Sequence, residues 1–357
     1  MDKLLVLREK MKEAFLDAIL IFDELNQRYL SDFAFTDGFL CISHSEALLV
    51  TDFRYYESAL EKAGTAFHVI SSDVPRSEVM KKFISDNSIK RIGFEGASIS
   101  YLCYKTYAEK YPELEFVDIG EMIEKLREIK TPLELSKMQA AQDIADKAFS
   151  ALLKNITPSM TEIDVAAELE YTMRRLGADG VAFDTIAVSG KASSVPHGTP
   201  RNKKLEKGFL TLDFGAKLDG YLSDMTRTIV IGRADSDMKK LYETVLEAQR
   251  RVLTFLREGV DGGEADKIAR DYIDSFPEYK GTFGHGLGHS IGLFVHESPG
   301  LSKRYFGFKL KSGHVTSVEP GIYLFGKYGC RIEDMVAIEK NGCYNFTKSS
   351  KELIEIY

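Results

Sequence analysis

Residues 210–229, LTLDFGAKLDGYLSDMTRTI, constrain the fold of this 357-residue chain more than any other stretch. Two runs of β-forming residues flank Asp219-Gly220, and an Asp-Gly pair between such runs is a strong hairpin signal. A turn centred one residue earlier would place Asp213 directly opposite Asp224, whereas a turn at Asp219-Gly220 would make these two residues diagonal neighbours on one face. Because opposed like charges destabilise a sheet, two carboxylates held there need a cation or a shared proton. The hairpin therefore indicates a cation site.

A glycine-rich segment downstream, HGLGHSIGLFVHES at residues 285–298, contains three of the seven histidines, His285, His289 and His296. The spacing of four between the first two is typical of a helical zinc pair, but the intervening glycines make a helix improbable. We therefore expect a loop or strand in which glycine lets the backbone approach a ligand closely. One such histidine alone would be interpreted as a hydrogen-bonded core residue, but three within twelve residues favour a site.

Two glutamates and a further histidine extend this set. Glu319 ends an apolar strand before Pro-Gly, Glu333 enters a strand from another turn, and His197 lies in a loop rich in glycine, proline and serine. Each alone would be an ordinary surface residue, although loops on a rigid scaffold often carry function. Together with the two aspartates, these side chains suit two hard or borderline divalent ions such as manganese, cobalt or zinc. Ions about 3.5–4 Å apart would hold a bridging hydroxide as the nucleophile, which favours hydrolysis.

Composition excludes several other classes of protein. The net charge is −7 and no basic face stands out, so we expect no nucleic-acid partner. The sequence has no run of about 18 apolar residues, and its charged N-terminus lacks the apolar region of a signal peptide, so we expect no membrane segment. The four cysteines are scattered without a CxxC pair, which argues against a disulfide scaffold and a thiolate metal site and favours a reducing cytoplasm.

The order of predicted elements indicates two domains. Strands alternate with short helices through the first third of the chain, which is typical of a small α/β domain. The segment 126–132, LREIKTP, marks the boundary, and Thr131 with Pro132 predicts the start of a long helix. A helix–helix–strand order then occurs twice, about a hundred residues apart. This repetition suggests two related halves packed around one site.

Four segments, in this order and spacing, resemble the pita-bread metallopeptidases, namely DFGAKLDGYLSDMTRT, HGLGHSIGLFVHESP, VEPGIY and RIED. Within that family the chain resembles the proline-specific branch, aminopeptidase P and prolidase. SDFAFTDGFL and TDFRYYESA resemble the branch's creatinase-like N-terminal domain, and SSVPHG resembles its substrate-histidine loop. The resemblance covers nearly the whole chain. It implies an α+β fold, with a small α/β domain at residues 1–124 and a pita-bread catalytic domain with two pseudo-repeated halves at residues 125–357.

The resemblance also implies a set of metal ligands. Asp213 would chelate one ion, Asp224 and Glu333 would bridge both, and His289 would complete the coordination of one of them. Glu319 would bind metal and also carry the proton from the nucleophilic water. All five positions carry the family's residue types, which argues against a metal-free enzyme of the creatinase type.

Four further residues acquire roles in substrate binding from the same resemblance. His285 and His296 would stabilise the substrate carbonyl and the tetrahedral intermediate, as oxyanion stabilisers do. His197 would contact the substrate near the leaving proline. Arg331 would support a ligand or bind a carboxylate.

The implied activity is hydrolysis of the bond between an N-terminal residue and proline, in a peptide with proline at its second position. The alternative is an Xaa-Pro dipeptidase, because the sequence does not reveal whether the site closes behind proline. A metal-free amidinohydrolase of the creatinase type and a non-catalytic binding module are weaker alternatives. With the resemblance we also expect a homodimer.

Overall fold

Alternating helices and strands build the first 127 residues of the computed structural model, which describes residues 2–71 and 73–357. The chain divides into two units, one ending at Arg127 and the other spanning Glu128–Tyr357. Among the described residues, no helix combines the length and apolar composition that a membrane span requires.

The helices, in chain order, are α1 (Lys3–Glu13), α2 (Glu24–Ser31), α3 (Phe53–Ala63), α4 (Arg76–Asp86), α5 (Tyr101–Lys110), α6 (Met122–Glu128), α7 (Pro132–Asn155), α8 (Glu162–Arg175), α9 (Ser236–Phe255) and α10 (Gly262–Asp274). The strands are β1 (Ala18–Ile21), β2 (Phe39–Ser43), β3 (Ala47–Thr51), β4 (His68–Ser71), β5 (Arg91–Phe94), β6 (Glu115–Asp118), β7 (Gly180–Val181), β8 (Ile186–Ser189), β9 (Gly208–Phe214), β10 (Ala216–Leu218), β11 (Tyr221–Leu222), β12 (Met225–Ile231), β13 (Gly288–Ser290), β14 (Glu297–Leu301), β15 (Val315–Val318), β16 (Gly321–Leu324), β17 (Tyr328–Arg331), β18 (Asp334–Glu339), β19 (Gly342–Asn345) and β20 (Glu355–Ile356).

The N-terminal unit is built on a mixed sheet of order β4-β3-β2-β1-β5-β6. Strands β1, β2 and β3 pair antiparallel, whereas β4, β5 and β6 join the sheet by parallel pairing. The central strands β1, β2 and β3 are buried along their whole length, which explains their continuous apolar sequences. The predicted α/β character of this domain is confirmed, although the sequence analysis did not identify α2 and α5.

The second unit contains two helix pairs, each with its own apolar core. Helices α7 and α8 pack with the inward residues of β9 and β12, and α9 and α10 pack with β15, β17 and β18. Both helices of the first pair begin at a capping box, formed by Thr131 with Glu134 and by Thr161 with Asp164. The predicted helix start at Thr131 and Pro132 is confirmed.

The central hairpin turns at Asp219-Gly220. Both residues have positive φ, 46° and 78°, as a tight two-residue hairpin turn requires. Strands β9 and β12 consequently pair Asp213 with Thr226, and Asp224 lies two positions from Thr226 on the same face. Direct opposition of the two aspartates is therefore wrong, and the diagonal arrangement is correct.

The two glutamates come from a second antiparallel pair, β15 and β18. Val318 pairs with Asp334 at the end of this ladder. Glu319 follows the first residue and Glu333 precedes the second, so the same register continued by one position brings the two glutamates opposite each other. The Glu333 N–H also donates to the Thr226 carbonyl (3.1 Å), which joins this pair of strands to the central hairpin.

The buried carboxylate of Glu162, at the start of α8, holds both ends of the loop that carries His197. It accepts hydrogen bonds from the Ser189 N–H (2.7 Å) and hydroxyl (2.8 Å), and from the Arg201 N–H (3.0 Å) and Nε (2.7 Å). Burial opposes the charged form, but the guanidinium of Arg201 and the hydrogen bonds outweigh it, so the pKa of Glu162 is lowered.

Glu162→Gln is expected to lower the free energy of unfolding at neutral pH by about 2 kcal/mol, because it removes charge-assisted hydrogen bonds from a buried position. The folded-state pKa lies below the ordinary value of 4.5, so the stabilisation by the carboxylate is present above that value and is lost as pH falls through the folded-state pKa. Urea unfolding between about pH 7 and pH 3 should show the difference from wild type shrinking in acid. Glu168→Gln, on the same helix, serves as the control, and a difference independent of pH would contradict this account.

Candidate metal centre

Five predicted ligands converge where the two antiparallel pairs meet. Ligand atoms of Asp224, His289 and Glu333 all lie within 4.8 Å of one another. His289 Nε2 is 3.6 Å from Asp224 Oδ2 and 3.4 Å from Glu319 Oε1. Asp213 belongs to the same cluster, because its charge acts on Asp224, Glu319 and Glu333. The structure thus brings together side chains that are up to 120 positions apart in the sequence, from 213 to 333.

Without a cation, the four carboxylates of this cluster disfavour one another's charged forms. Burial raises the pKa of Asp224 and of Glu333 well above the ordinary range, and neighbouring carboxylates raise them further. Burial also raises the pKa of Glu319. A divalent cation is the partner that would stabilise these groups in their ionised state.

The orientation of His289 fits a metal ligand. Its Nδ1 lies 3.2 Å from the Ser290 carbonyl oxygen, so Nδ1 carries the proton and donates. Burial lowers the pKa of His289, which keeps the ring neutral. The lone pair of Nε2 therefore points at the oxygens of Asp224 and Glu319, a repulsive arrangement that a cation between them would make favourable.

Two oxygens of the cluster are buried without a hydrogen-bond partner, namely Oδ1 of Asp213 and Oδ1 of Asp224. Buried polar atoms are normally paired, so an unpaired carboxylate oxygen calls for an explanation. Carboxylate oxygens with one imidazole nitrogen form a donor set that divalent manganese, cobalt or zinc accepts. The residues present therefore fit a divalent-metal site.

A network behind the ligands fixes their orientation. Arg331 donates from Nη2 to Asp213 Oδ2 (2.6 Å), from Nε to Thr226 Oγ1 (3.0 Å) and from Nη1 to the Tyr323 hydroxyl (2.7 Å). The Thr226 hydroxyl donates in turn to Glu333 Oε2 (2.7 Å). The guanidinium of Arg331 is buried and donates hydrogen bonds to protein oxygens. It is therefore suited to orienting the metal ligands rather than to binding a substrate carboxylate.

Glycine permits the close approach of β13 to β15. A Cβ at Gly288 would lie 2.0 Å from the Ser317 carbonyl oxygen, so no other residue fits there. This approach lets the Ser317 hydroxyl accept from the His289 N–H (3.0 Å) and donate to Glu319 Oε1 (3.1 Å). One serine thereby orients two predicted ligands.

The ligands lie at the base of a cavity of about 780 Å³ lined by residues of the second unit. His197 and His296, both exposed, line the same cavity, and the rings of His296 and His289 are 4.4 Å apart. Burial lowers the pKa of His296, and the neighbouring His289 and His197 contribute to the shift. Two of the three histidines that the resemblance assigned to the substrate, His197 and His296, therefore face the open part of the cavity.

His285 differs from these two, because both of its ring nitrogens contact protein atoms. Nδ1 donates to the Gly286 carbonyl (2.8 Å), and Nε2 accepts from the Tyr323 hydroxyl (3.0 Å). Burial raises the pKa of Tyr323 to about 12, so its phenol keeps the proton that it donates. A substrate oxygen would have to replace one of these hydrogen bonds to contact His285.

Sequence reasoning did not identify Thr226, Ser317 and Tyr323 as supports of this cluster. Thr226 could have been found from the alternation of β12, because it is two residues from Asp224 and shares its face. Ser317 is two residues before Glu319 and Tyr323 is four residues after it, but nothing in their spacing distinguishes them from ordinary strand residues.

Comparisons with known proteins agree with this geometry. Residues 136–340 match the model of metallopeptidase family M24, and residues 3–129 match the creatinase/prolidase N-terminal domain. An Xaa-Pro dipeptidase of Pyrococcus furiosus is 37% identical over 96% of this chain and 97% of its own length. The structure of an Xaa-Pro dipeptidase from Bacillus anthracis superposes with a TM-score of 0.95 at 41% identity, covering 100% of this chain and 99% of that one. That of an X-Pro aminopeptidase from Thermotoga maritima gives 0.91 at 36% identity, covering 97% and 100%.

Removal of divalent metal is expected to lower the melting temperature, because a ligand present at about 1,000 times its dissociation constant stabilises the folded state by about 4 kcal/mol. Thermal unfolding before chelation, after chelation and after adding back Mn²⁺ would measure the effect. The Asp224→Asn variant should lose most of this metal-dependent change in melting temperature. Asp184→Asn, an exposed carboxylate lining the same cavity, should retain it. An identical melting temperature in all three states of the wild type would contradict the site.

Proposed function

The chain belongs to metallopeptidase family M24, as its motifs predicted, and we propose that it hydrolyses the bond between an N-terminal residue and proline. The observation that carries this proposal is the convergence of Asp213, Asp224, His289, Glu319 and Glu333 beneath a cavity lined by further histidines. Relatives named as Xaa-Pro peptidases, similar over nearly the full chain, support the same substrate class.

The chain's own side chains would divide the work as follows. Divalent ions, when bound by the five ligands, supply Lewis-acid polarisation of the substrate carbonyl and activation of water. Glu319 accepts the proton of the attacking water at a carboxylate oxygen and delivers it to the proline nitrogen as the bond breaks. His296 donates a hydrogen bond to the carbonyl oxygen as it becomes negative. His197 contacts the substrate near proline, and His285 is the second predicted carbonyl contact.

The choice of an amide before proline follows from its chemistry. The nitrogen of that bond is tertiary and carries no hydrogen, and the pyrrolidine ring fixes φ. A peptidase that must hydrogen-bond the scissile N–H cannot hold such a substrate. A site that acts through the carbonyl oxygen, as the arrangement of His296 and the carboxylates would, has no such requirement.

The cavity favours an aminopeptidase over a dipeptidase. A dipeptidase receives the carboxylate of proline itself, which calls for a cation placed just beyond the ring. Among the described residues lining the cavity, Arg331 is the only lysine or arginine, and its guanidinium is bonded to Asp213 and Tyr323. A volume of about 780 Å³ also leaves room for residues beyond proline.

A dipeptidase remains the second candidate function, because the relatives from Pyrococcus furiosus and Bacillus anthracis carry that name. The proposal further includes two ions per subunit, manganese, cobalt or zinc, since Asp224 and Glu333 each offer two oxygens for bridging. It also includes a cytoplasmic location, which rests on the scattered cysteines, and a homodimer, which rests on the resemblance of the motifs.

Glu319→Gln is expected to lower kcat for an Xaa-Pro-Yaa tripeptide by about 1,000-fold, because the amide cannot accept the proton of the attacking water. Assays should contain Mn²⁺ in excess, so that weakened metal binding is compensated. Glu339→Gln, an exposed glutamate at the end of β18, is the matched control and should keep wild-type kcat. Wild-type turnover in the Glu319 variant would rule out the proposed role.

A panel of peptides tests the substrate class. Xaa-Pro-Yaa should be hydrolysed with a kcat/KM at least about tenfold above that for Xaa-Pro, which corresponds to about 1.4 kcal/mol. The reason is that the carboxylate of the dipeptide meets no unengaged guanidinium or ammonium among the described residues that line the cavity. Amidation of the Xaa-Pro carboxyl group should recover most of that difference. Faster hydrolysis of the free dipeptide would assign the chain as a dipeptidase, and Xaa-Ala-Yaa cleaved as well as Xaa-Pro-Yaa would overturn the proline specificity.

A further inference from the structure

We propose that Lys130 is a positioning residue for the reaction, acting through Glu297 on the loop that presents His296. Lys130 Nζ lies 3.1 Å from Glu297 Oε2, and the two side chains are only 2% and 8% exposed. This inference rests on the proposed function, because it assigns to His296 a contact with the substrate.

The loop that carries His296 is closed by the carboxylate of Glu297. Oε1 accepts hydrogen bonds from the N–H groups of Leu293 (3.1 Å) and Phe294 (3.2 Å). Gly292 lets the carboxylate lie against the backbone, since a Cβ there would be 2.6 Å from Oε2. The loop therefore turns around a single buried side chain, and His296 is the residue directly before it.

The other oxygen of Glu297 is bonded to a lysine that is itself fixed in place. The Lys130 N–H donates to the Gly313 carbonyl (2.9 Å), and the capping box of α7 begins at the next residue. Glu134 of that capping box accepts from the Tyr221 hydroxyl (2.8 Å) through its second oxygen. Residues 130–134 thus bind the His296 loop at one end and the central hairpin at the other.

The same two parts of the structure also meet directly. Leu222, two residues before Asp224, donates its N–H to the Gly292 carbonyl (2.9 Å). Segment 130–134 and this contact therefore fix the distance between the loop of His296 and the hairpin of Asp224. Removing one partner of a buried ion pair leaves the other charge uncompensated, so loss of the Lys130 ammonium should loosen the loop that Glu297 closes.

A double-mutant cycle between Lys130 and His296 tests the inference through activity. Lys130→Met should lower kcat for Xaa-Pro-Yaa by about 100-fold, the cost of a small misplacement of a catalytic group, with little change in KM. In a His296→Ala background, Lys130→Met should lower kcat by less than about threefold, because the residue that Lys130 positions is absent. Lys137→Met is the matched control. Lys137 lies in α7, seven residues after Lys130, and also forms an ion pair, with Asp219, but these two side chains are more exposed, 28% and 55%.

Hydrogen exchange gives a readout independent of activity and of bound metal. In chelated protein, Lys130→Met should speed exchange in a peptide covering residues 292–297 and leave residues 208–214 of β9 protected. Glu297→Gln keeps the size of the side chain and one carbonyl oxygen, and it should give the same pattern of exchange at 292–297 and 208–214. This second variant keeps the test decisive if the Lys130 variant does not fold.

The outcomes separate the two proposals. Equal losses of kcat from Lys130→Met in the wild-type and His296→Ala backgrounds, or unchanged exchange at 292–297, would overturn the positioning role. A wild-type enzyme inactive on every proline peptide would instead overturn the proposed function, and the exchange experiment would still decide whether Lys130 holds the loop.

Discussion

Mutual repulsion among buried carboxylates is the constraint on which the rest of the catalytic unit depends. Two like charges about 4 Å apart repel by about 4 kcal/mol at an effective dielectric constant near 20. Asp224 and Glu333 are almost fully buried in such a group, and burial, with a further contribution from the neighbouring carboxylates, raises the pKa of each. The fold must therefore hold these side chains rigidly enough that a divalent cation, rather than proton uptake or local opening, relieves the repulsion.

Antiparallel pairing is the device that supplies this rigidity. Asp213 and Asp224 come from one ladder, and Glu319 and Glu333 flank the end of another. Each pair of acids is close because a strand register brings residues that are distant in sequence to one place. The Glu333 N–H, which donates to the Thr226 carbonyl, joins the two ladders at the point where the acids meet.

How much could be predicted from the sequence depends on the range of the interaction. The capping boxes of α7 and α8, the Asp-Gly turn and the five ligand types are encoded locally or by motifs, and all of them are present in the structure. The exact turn position, and hence the diagonal relation of Asp213 to Asp224, depended on φ at two residues. Lys130 and Glu297 could not be connected, because 167 residues separate them and neither carries a distinguishing pattern.

The charges near the ligands bear on how many ions the site holds. When all four carboxylates are ionised, as metal binding requires, they face one guanidinium, that of Arg331, and a neutral imidazole, that of His289, which leaves three net negative charges in a buried volume. Lys130 does not change this balance, because Glu297 takes up its charge. One divalent ion would leave the centre negative and unfavourable for a carbonyl oxygen that gains negative charge. Two would leave it positive by one charge before an anionic nucleophile is counted, and this balance supports the two ions per subunit that we propose.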